Sequence, residues 1–386
     1  MKLLLISPGL LNDNGEPVRV ARDIMPGMTL PWLAGLIPAR HEIRIINDSV
    51  EGVNFDEPAD AVLLTGMTSR AERAYQIAAG FRERGVTVVM GGIHATLFPD
   101  EVGARVDTVA VGEAEGLIEE LIEDLESGRA KPRYEAERRM DLSGLPPPRY
   151  DLIKKNLYLV QTDPIHVMRG CPHRCRYCSV HLLYGPKIRL RPIPEVLRDV
   201  ARAGRFLAFI DDNLMADHEY ALELFRALKP MRKIWGMQAD ISIGTDPELM
   251  AAAKQAGCVM LYFGLETLDQ ECLLSMNKRV NARTDMGQAL TTLRRAGIGV
   301  MASCMVGFDQ DTPESMDELL AFLEKHRVAA LSLHPDPVAP DRIAPGPSGA
   351  GTAPRTSLAV HGRHARGLPT QIHVPRRAGT TVLAHL

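Results

Sequence analysis

The chain has 386 residues, enough for two domains. Its net charge of −3 gives no electrostatic case for a nucleic-acid partner. No apolar run is long enough to span a bilayer. The opening, MKLLLISPGLLNDNGEP, is apolar for a few residues and then polar. It reads as a buried strand and not a signal peptide.

Residues 1–130 alternate two kinds of segment. KLLLIS, HEIRIIND, DAVLLTGM, VTVVMGG and DTVAVG are short runs rich in Val, Ile or Leu that end near Gly, Asp or Asn. Between them lie the helical stretches MTLPWLAGLIPA, RAERAYQIAAGFRERG and LIEELIEDLESG. Strands buried on both faces and alternating with helices imply a parallel, doubly wound, Rossmann-like sheet. Ligands of such sheets bind at the carboxyl ends of the strands. The residues expected there are Asn12, Asn14, Gly66, Thr68, Ser69, Gly91, Gly92, His94, Gly112 and Glu113. The glycines would serve equally for tight turns with no ligand. His94 has the alternative of a strand-end histidine bonded to a loop.

Residues 131–164 are Pro-rich, charged and aperiodic, and read as an inter-domain connection. Within it, Arg149 and Tyr150 are expected to pack and anchor.

Strand-then-helix units resume over residues 165–334. The strand starts are IHVMRG, FLAFIDD, IWGMQADISI, CVMLYFGLET, IGVMASCMVGF and AALSLH. Polar residues collect where these runs end: Asp211, Asp212 and Asn213, then Gln238 and Asp240, then Glu266, then Gly307. The first three would also serve as helix N-caps. A carboxylate as deep as Glu266 is costly unless it is paired or meets a ligand.

At the start of this segment stands MRGCPHRCRYCSV, with Cys171, Cys175 and Cys178 spaced C-x3-C-x2-C. Cys258, Cys272 and Cys304 are scattered singly and read as small buried hydrophobes. Four thiolates would close a tetrahedral zinc or saturate an iron–sulfur cube, whereas three leave one corner open. The alternative is a zinc site with His173 or His181 as fourth ligand.

C-x3-C-x2-C with Tyr177 before the last Cys resembles the signature of the radical S-adenosylmethionine (SAM) enzymes. The resemblance implies a [4Fe–4S] cluster held by Cys171, Cys175 and Cys178, with SAM chelating the fourth iron. It implies one-electron cleavage of SAM to methionine and a 5′-deoxyadenosyl radical, which takes hydrogen from an unactivated carbon. The six strand starts resemble that family's partial (β/α)6 TIM-type barrel, whose chemistry sits at the carboxyl ends of the strands. By the same resemblance Asp211, Asp212 and Asn213 hold the SAM amino group, and Gln238 and Asp240 meet the ribose or the substrate. Glu266, in GLET, resembles the family's G-[IL]-E-[ST] motif. Gly307 and Tyr177 lie by the adenine.

Residues 1–130 resemble the cobalamin-binding domain of one subfamily through GGIHAT, a Pro and then VGEAEG, and DLSGLPPPRYDL resembles its connecting segment. Cobalamin, methyl transfer or cyclisation, a small-molecule or biosynthetic-intermediate substrate and an electron donor such as flavodoxin or ferredoxin are then expected, in a reducing cytoplasm. The D-x-H-x-x-G motif, whose His ligates cobalt in many cobalamin proteins, is absent, and His94 is the nearby imidazole.

Composition breaks at about His334. Residues 335–386 are full of Pro, Gly, Ala and Arg, without Lys, Glu or aromatic residues. The tail reads as disordered. In the resembling family the sixth strand continues as I-L-T-P-x-P-G-T, which suggests a frameshift at about His334. An unambiguous in-frame resequencing read through this point would remove the suggestion.

Overall fold

The computed structural model describes residues 1–136, 139–308, 310–333 and 359–361. The expected disorder of the tail and the suggested frameshift at His334 otherwise fall outside the described residues. The exception is a three-residue strand, Ala359–His361, antiparallel to residues 330–332, within a stretch expected to carry no strand. The chain divides into two compact units. One comprises 1–166 with 189–207. The other comprises 167–188 and the residues from 208 onward.

The first unit is built on a parallel sheet of β1 (Lys2–Ser7), β2 (Glu42–Asn47), β3 (Ala61–Thr65), β4 (Thr87–Gly91), β5 (Thr108–Val111) and β6 (Arg133–Glu135). The order is β2-β1-β3-β4-β5-β6. The unbroken apolar run of β1 follows from burial on both faces, because side chains alternate along a strand. Leu4 and Ile6 pack with Ala74, Ile77, Ala78 and Phe81 of the helix Ala71–Arg82. Leu3 and Leu5 join Leu30 and Ala34 of the helix Thr29–Leu36, and Leu121 and Ile122 of the helix Ile118–Glu126. β1 lies between β2 and β3, so the chain reverses its direction of winding there, the point at which such sheets bind ligands.

The expected connection at 131–164 is instead part of this unit. β6 extends the sheet, with Val109 opposite Arg133. Only Tyr134 of its three residues is buried, so it left no periodic signal. Leu142 is fully buried, the Tyr150 hydroxyl donates to the Pro164 carbonyl at 3.1 Å, and the Arg149 amide donates to Pro31 O. Residues 189–207 also belong here, through the buried Arg191–Asp199 pair at 2.7 Å and Arg198 donating to Leu145 O.

The second unit carries the strands β7 (Phe206–Phe209, which begins at the boundary of the first unit), β8 (Ile234–Gln238), β9 (Cys258–Glu266), β10 (Gly299–Met305) and β11 (Ala329–Leu333), adjacent in that order. β8 through β11 pair in parallel. The intervening helices start where short polar side chains accept a backbone N–H: Asp217, Asp246, Asp285 and Thr312. The chain is therefore α/β with parallel sheets. IHVMRG, expected as one strand, is broken into Asp163–Ile165 and Met168–Arg169. At the break, Asp211 Oδ1 accepts the amides of Val167 and Met168, each at 2.7 Å, in place of a continuous ladder.

Candidate active site

The cysteine loop of the second unit enters through Gly170 at φ +91°, where a Cβ would lie 2.6 Å from the Lys187 carbonyl. Only glycine fits. The loop tightens through the Cys178 amide on Cys175 O at 3.1 Å. It is anchored to the turn after the helix Gln270–Ser275: the Arg176 amide donates to Met276 O at 3.0 Å, and Asn277 Nδ2 to Arg174 O at 2.9 Å. All three thiols are unbridged, and Cys175 is buried. Burial, with smaller repulsions from the other two sulfurs, pushes the Cys171 thiol up to about 11. Burial also raises Cys175 and Cys178. Without a bound cation the sulfurs are neutral, and the loop needs positive charge to deprotonate them. Among the described residues no group of three or more His, Cys, Asp or Glu side chains meets the geometry for a single metal ion. His173, a possible zinc ligand on sequence grounds, lies 3.7 Å from Asp240.

Glu266 ends β9 with φ +66°, a left-handed backbone, where the register with β10 slips. Its buried Oε1 accepts the Tyr177 hydroxyl at 2.8 Å and Lys278 Nζ at 3.1 Å. Burial and then the Glu266 charge push the Tyr177 phenol upward, which keeps it protonated as the donor. Gly264 is required here, because a Cβ on it would stand 2.0 Å from Glu266 Oε1. Asn281 Nδ2 donates to the carbonyls of Gly264 and Leu265, at 2.8 and 2.9 Å, beside the slipped register. Lys278 and Asn281 were not anticipated. They lie off any strand end, and only a search for a partner to the buried Glu266 would have pointed to Lys278.

At the end of β7 the three expected SAM contacts separate. Asp211 is committed to Val167 and Met168. Asp212 accepts the Gly170 amide at 3.2 Å, and burial raises its carboxyl. Asn213 caps a short turn through Met215 N and donates to Asp240 Oδ2 at 2.9 Å. Asp240 also accepts Ser242 N. Burial would raise Asp240, but the His173 imidazole 3.7 Å away and hydrogen bonds from Ser242 and Asn213 outweigh it and bring it to about 2. Gln238 Nε2 reaches Asp212 O at 3.5 Å. The Gly307 amide, at φ +105°, donates to Asp311 Oδ2 at 2.6 Å.

In the first unit the expected residues are more self-contained. His94 lies on the short helix Ile93–Leu97, not at a strand end, and is buried. Its Nε2 meets the Tyr75 hydroxyl at 2.8 Å, and Tyr75 donates to Glu101. Because that hydroxyl has one proton, Nε2 is the donor and Nδ1 carries the lone pair, as the network assigns it. Thr68 Oγ1 faces that lone pair at 3.3 Å. Glu113 is paired with Arg189 at 2.5 and 2.8 Å and accepts the Met140 amide. Asn12 Oδ1 holds the turn containing Asn14 through the amides of Asn14 and Glu16. Gly92 at φ +93° is forced by Thr65 Oγ1, 2.5 Å from a Cβ position, and Gly112 at φ +93° by Ala136 at 3.0 Å. Gly91 packs beside Ala110, and Gly66 keeps nearly 4 Å of clearance on the Cβ side. Thr68 and Ser69 form the short turn Thr68–Arg70 beyond β3.

A loop of three thiols, a buried carboxylate held by a phenol and an ammonium, and further acids at the carboxyl ends of a parallel sheet define a cofactor-dependent α/β enzyme. Residues 165–323 match the model described as "Radical SAM superfamily". The matched segment carries the cysteine loop, Asp212, Asp240 and Glu266. It is 29% identical over 320 residues to bacteriochlorophyllide d C-8(2)-methyltransferase of Chlorobaculum tepidum, across 78% of this chain and 71% of that protein. It is 28% identical to the C-12(1)-methyltransferase of the same organism, across 70% of this chain and 61% of that one. The chain thus spans about two thirds of the length of these relatives. Its fold is similar to that of the radical S-adenosylmethionine methyltransferase TsrM of Kitasatospora setae, solved with cobalamin and a [4Fe–4S] cluster. That match has a TM-score of 0.62 at 16% identity, over 83% of this chain and 70% of that one.

Proposed function

We propose that this chain is a cobalamin-dependent radical SAM methyltransferase. In this reading Cys171, Cys175 and Cys178 hold a [4Fe–4S] cluster at the mouth of a partial TIM-type barrel formed by the second sheet, and cobalamin lies on the carboxyl edge of the first. The observation that carries it is the anchored loop of three unbridged thiols, Cys175 buried and the other two half-buried, in the unit that also presents Glu266, Asp212 and Asp240. The donor set fits the cluster: three sulfurs with no fourth cysteine in the loop leave one iron for SAM. When bound, the cluster supplies the electron that cleaves SAM, and cobalamin supplies a transferable methyl group.

The chain's own residues bind, orient and shield. The three thiols would lose their protons on binding and, as thiolates, would hold the cluster. Asp212 accepts from the SAM ammonium. Asp240, ionised down to about pH 2, keeps Asn213 in place by two hydrogen bonds, its Oδ2 accepting from Nδ2 and its amide donating to Oδ1 at 3.1 Å. Tyr177, held through its hydroxyl by Glu266, would meet the adenine. His94 directs Nδ1 at Thr68 and Nε2 at Tyr75, so it would not be a cobalt ligand. The substrate is a small biosynthetic intermediate with an unactivated carbon, and a low-potential flavodoxin or ferredoxin supplies the electron in the cytoplasm. Among the described residues no helix is long and apolar enough to cross a membrane.

The test is anaerobic reconstitution with iron and sulfide, then SAM and a strong reductant, with assay of 5′-deoxyadenosine. The expected result is product that disappears in Cys175→Ala. A folded chain that takes up no cluster would overturn the radical reading. A chain that forms 5′-deoxyadenosine but binds no cobalamin would overturn the methyltransferase reading alone.

A further inference from the structure

Lys278 is the one cation bonded to the buried Glu266 among the described residues. Its Nζ is 3.1 Å from Glu266 Oε1 and 5.9 Å from the centre of the Tyr177 ring, and the two charged side chains are only 19% and 6% exposed. The two residues just before it form the anchor of the cysteine loop, Met276 O accepting the Arg176 amide and Asn277 Nδ2 donating to Arg174 O. The ammonium is therefore fixed beside the residues that separate the thiols. The sequence gives no reason for a lysine there, and burying one costs free energy that the pair must offset.

We propose that Lys278 is a positioning residue whose charge, balanced by Glu266, sets the reduction potential of the cluster held by the cysteine loop. This inference rests on the cluster reading given above. The couple concerned is one-electron: an external donor gives one electron to the oxidised cluster, and no protein group changes its covalent state. Buried charges are weakly screened, so each member of the pair acts on the cluster at short range. Together they nearly cancel. Removing the cation leaves an uncompensated carboxylate, which disfavours the reduced, more negative cluster. Removing the carboxylate leaves an uncompensated ammonium, which favours it. Burial alone would lower the lysine's affinity for its proton, but the neighbouring charge, the Glu266 carboxylate foremost, outweighs this and raises it, in keeping with a site that holds the cation.

The experiment is an EPR-monitored potential titration of reconstituted full-length chain, without SAM, alongside iron and sulfide content. Lys278→Gln is expected to shift the reduction equilibrium about tenfold toward the oxidised cluster, about 59 mV for a one-electron couple. Glu266→Gln is expected to shift it the other way, the double variant to return toward the parent, and Lys278→Arg to stay near the parent. The single variants read the same charge balance from opposite sides, so failure of one to load leaves the other to decide. Equal potentials in fully loaded variants, shifts of the same sign, or failure of both singles to hold a cluster would overturn the inference in favour of a packing role. Parent chain that takes up no cluster removes the reading beneath it, an outcome distinct from these.

Discussion

The strand ends of the two units use polar residues in opposite ways. In the first unit the polar groups are spent on one another: His94 between Tyr75 and Thr68, Glu113 on Arg189, Asp48 on Arg73 at 2.8 and 3.0 Å. What stays open is space, as beside Gly66, whose Cβ position has nearly 4 Å of clearance. In the second unit the acids are also bonded, yet they lie near three thiols that burial keeps neutral. The first edge suits a large ligand held by shape and backbone. The second suits chemistry, because there three thiols are kept in a protonation state that a bound cation would change.

The comparison breaks most readily at Gly264. Gly264→Ala sets a methyl group 2.0 Å from Glu266 Oε1 and must displace the carboxylate from Tyr177 and Lys278. Overpacking of this kind costs about 1–3 kcal/mol. The expected outcome is a stability loss of that size, read by urea denaturation of the cluster-free chain, and a loss of 5′-deoxyadenosine formation of at least tenfold. Gly66→Ala, with nearest atoms at 3.9–4.0 Å, should cost well under 1 kcal/mol and leave 5′-deoxyadenosine formation intact. Equal effects at the two glycines would remove the contrast.

Asp240 sharpens it through pH. Its folded-state carboxyl sits at about 2, below the ordinary 3.8. A depressed acid contributes stability above its unfolded value that is lost as pH falls through the folded value. The contribution is roughly 2 kcal/mol, present above about pH 4 and lost toward pH 2. Asp240→Asn should lower stability at pH 7 by an amount of that order and flatten the acid limb in that window. A parent-like acid limb in the variant would show that His173, Ser242 and Asn213 do not hold the carboxylate.

Much of this was legible because it follows from side-chain periodicity and thiol spacing. KLLLIS and VTVVMGG announce strands buried on both faces, and C-x3-C-x2-C announces a shared ligand. What escaped was set by tertiary partners. β6 carries a single buried residue, so no period marks it. IHVMRG looks like one strand until Asp211, more than forty residues on, takes two of its amides. Residues 189–207 read as part of the second domain, but Arg189, Arg191 and Arg198 find their partners in the first unit. Lys278 gains its meaning only from Glu266, whose own left-handed backbone no local pattern foretells.

The smallest expected effect belongs to the first unit. Burial lowers the affinity of His94 for a proton, ahead of the opposing pull of Glu101. A histidine whose folded-state value is depressed stays neutral in the native chain while the unfolded chain protonates near pH 6.5, so stability falls as pH drops below about 6.5. His94→Gln lacks that titration but keeps a donor for Tyr75 and an acceptor for Thr68. It should cost about 1 kcal/mol at pH 7.5 and show a shallower loss of stability between pH 6.5 and 5 than the parent, by urea denaturation. Its cobalamin binding should match the parent's, because the imidazole faces Thr68 and Tyr75 and not a ligand. A large loss of cobalamin affinity with stability unchanged would reverse the contrast, and would make the first edge a site of specific side-chain ligation like the second.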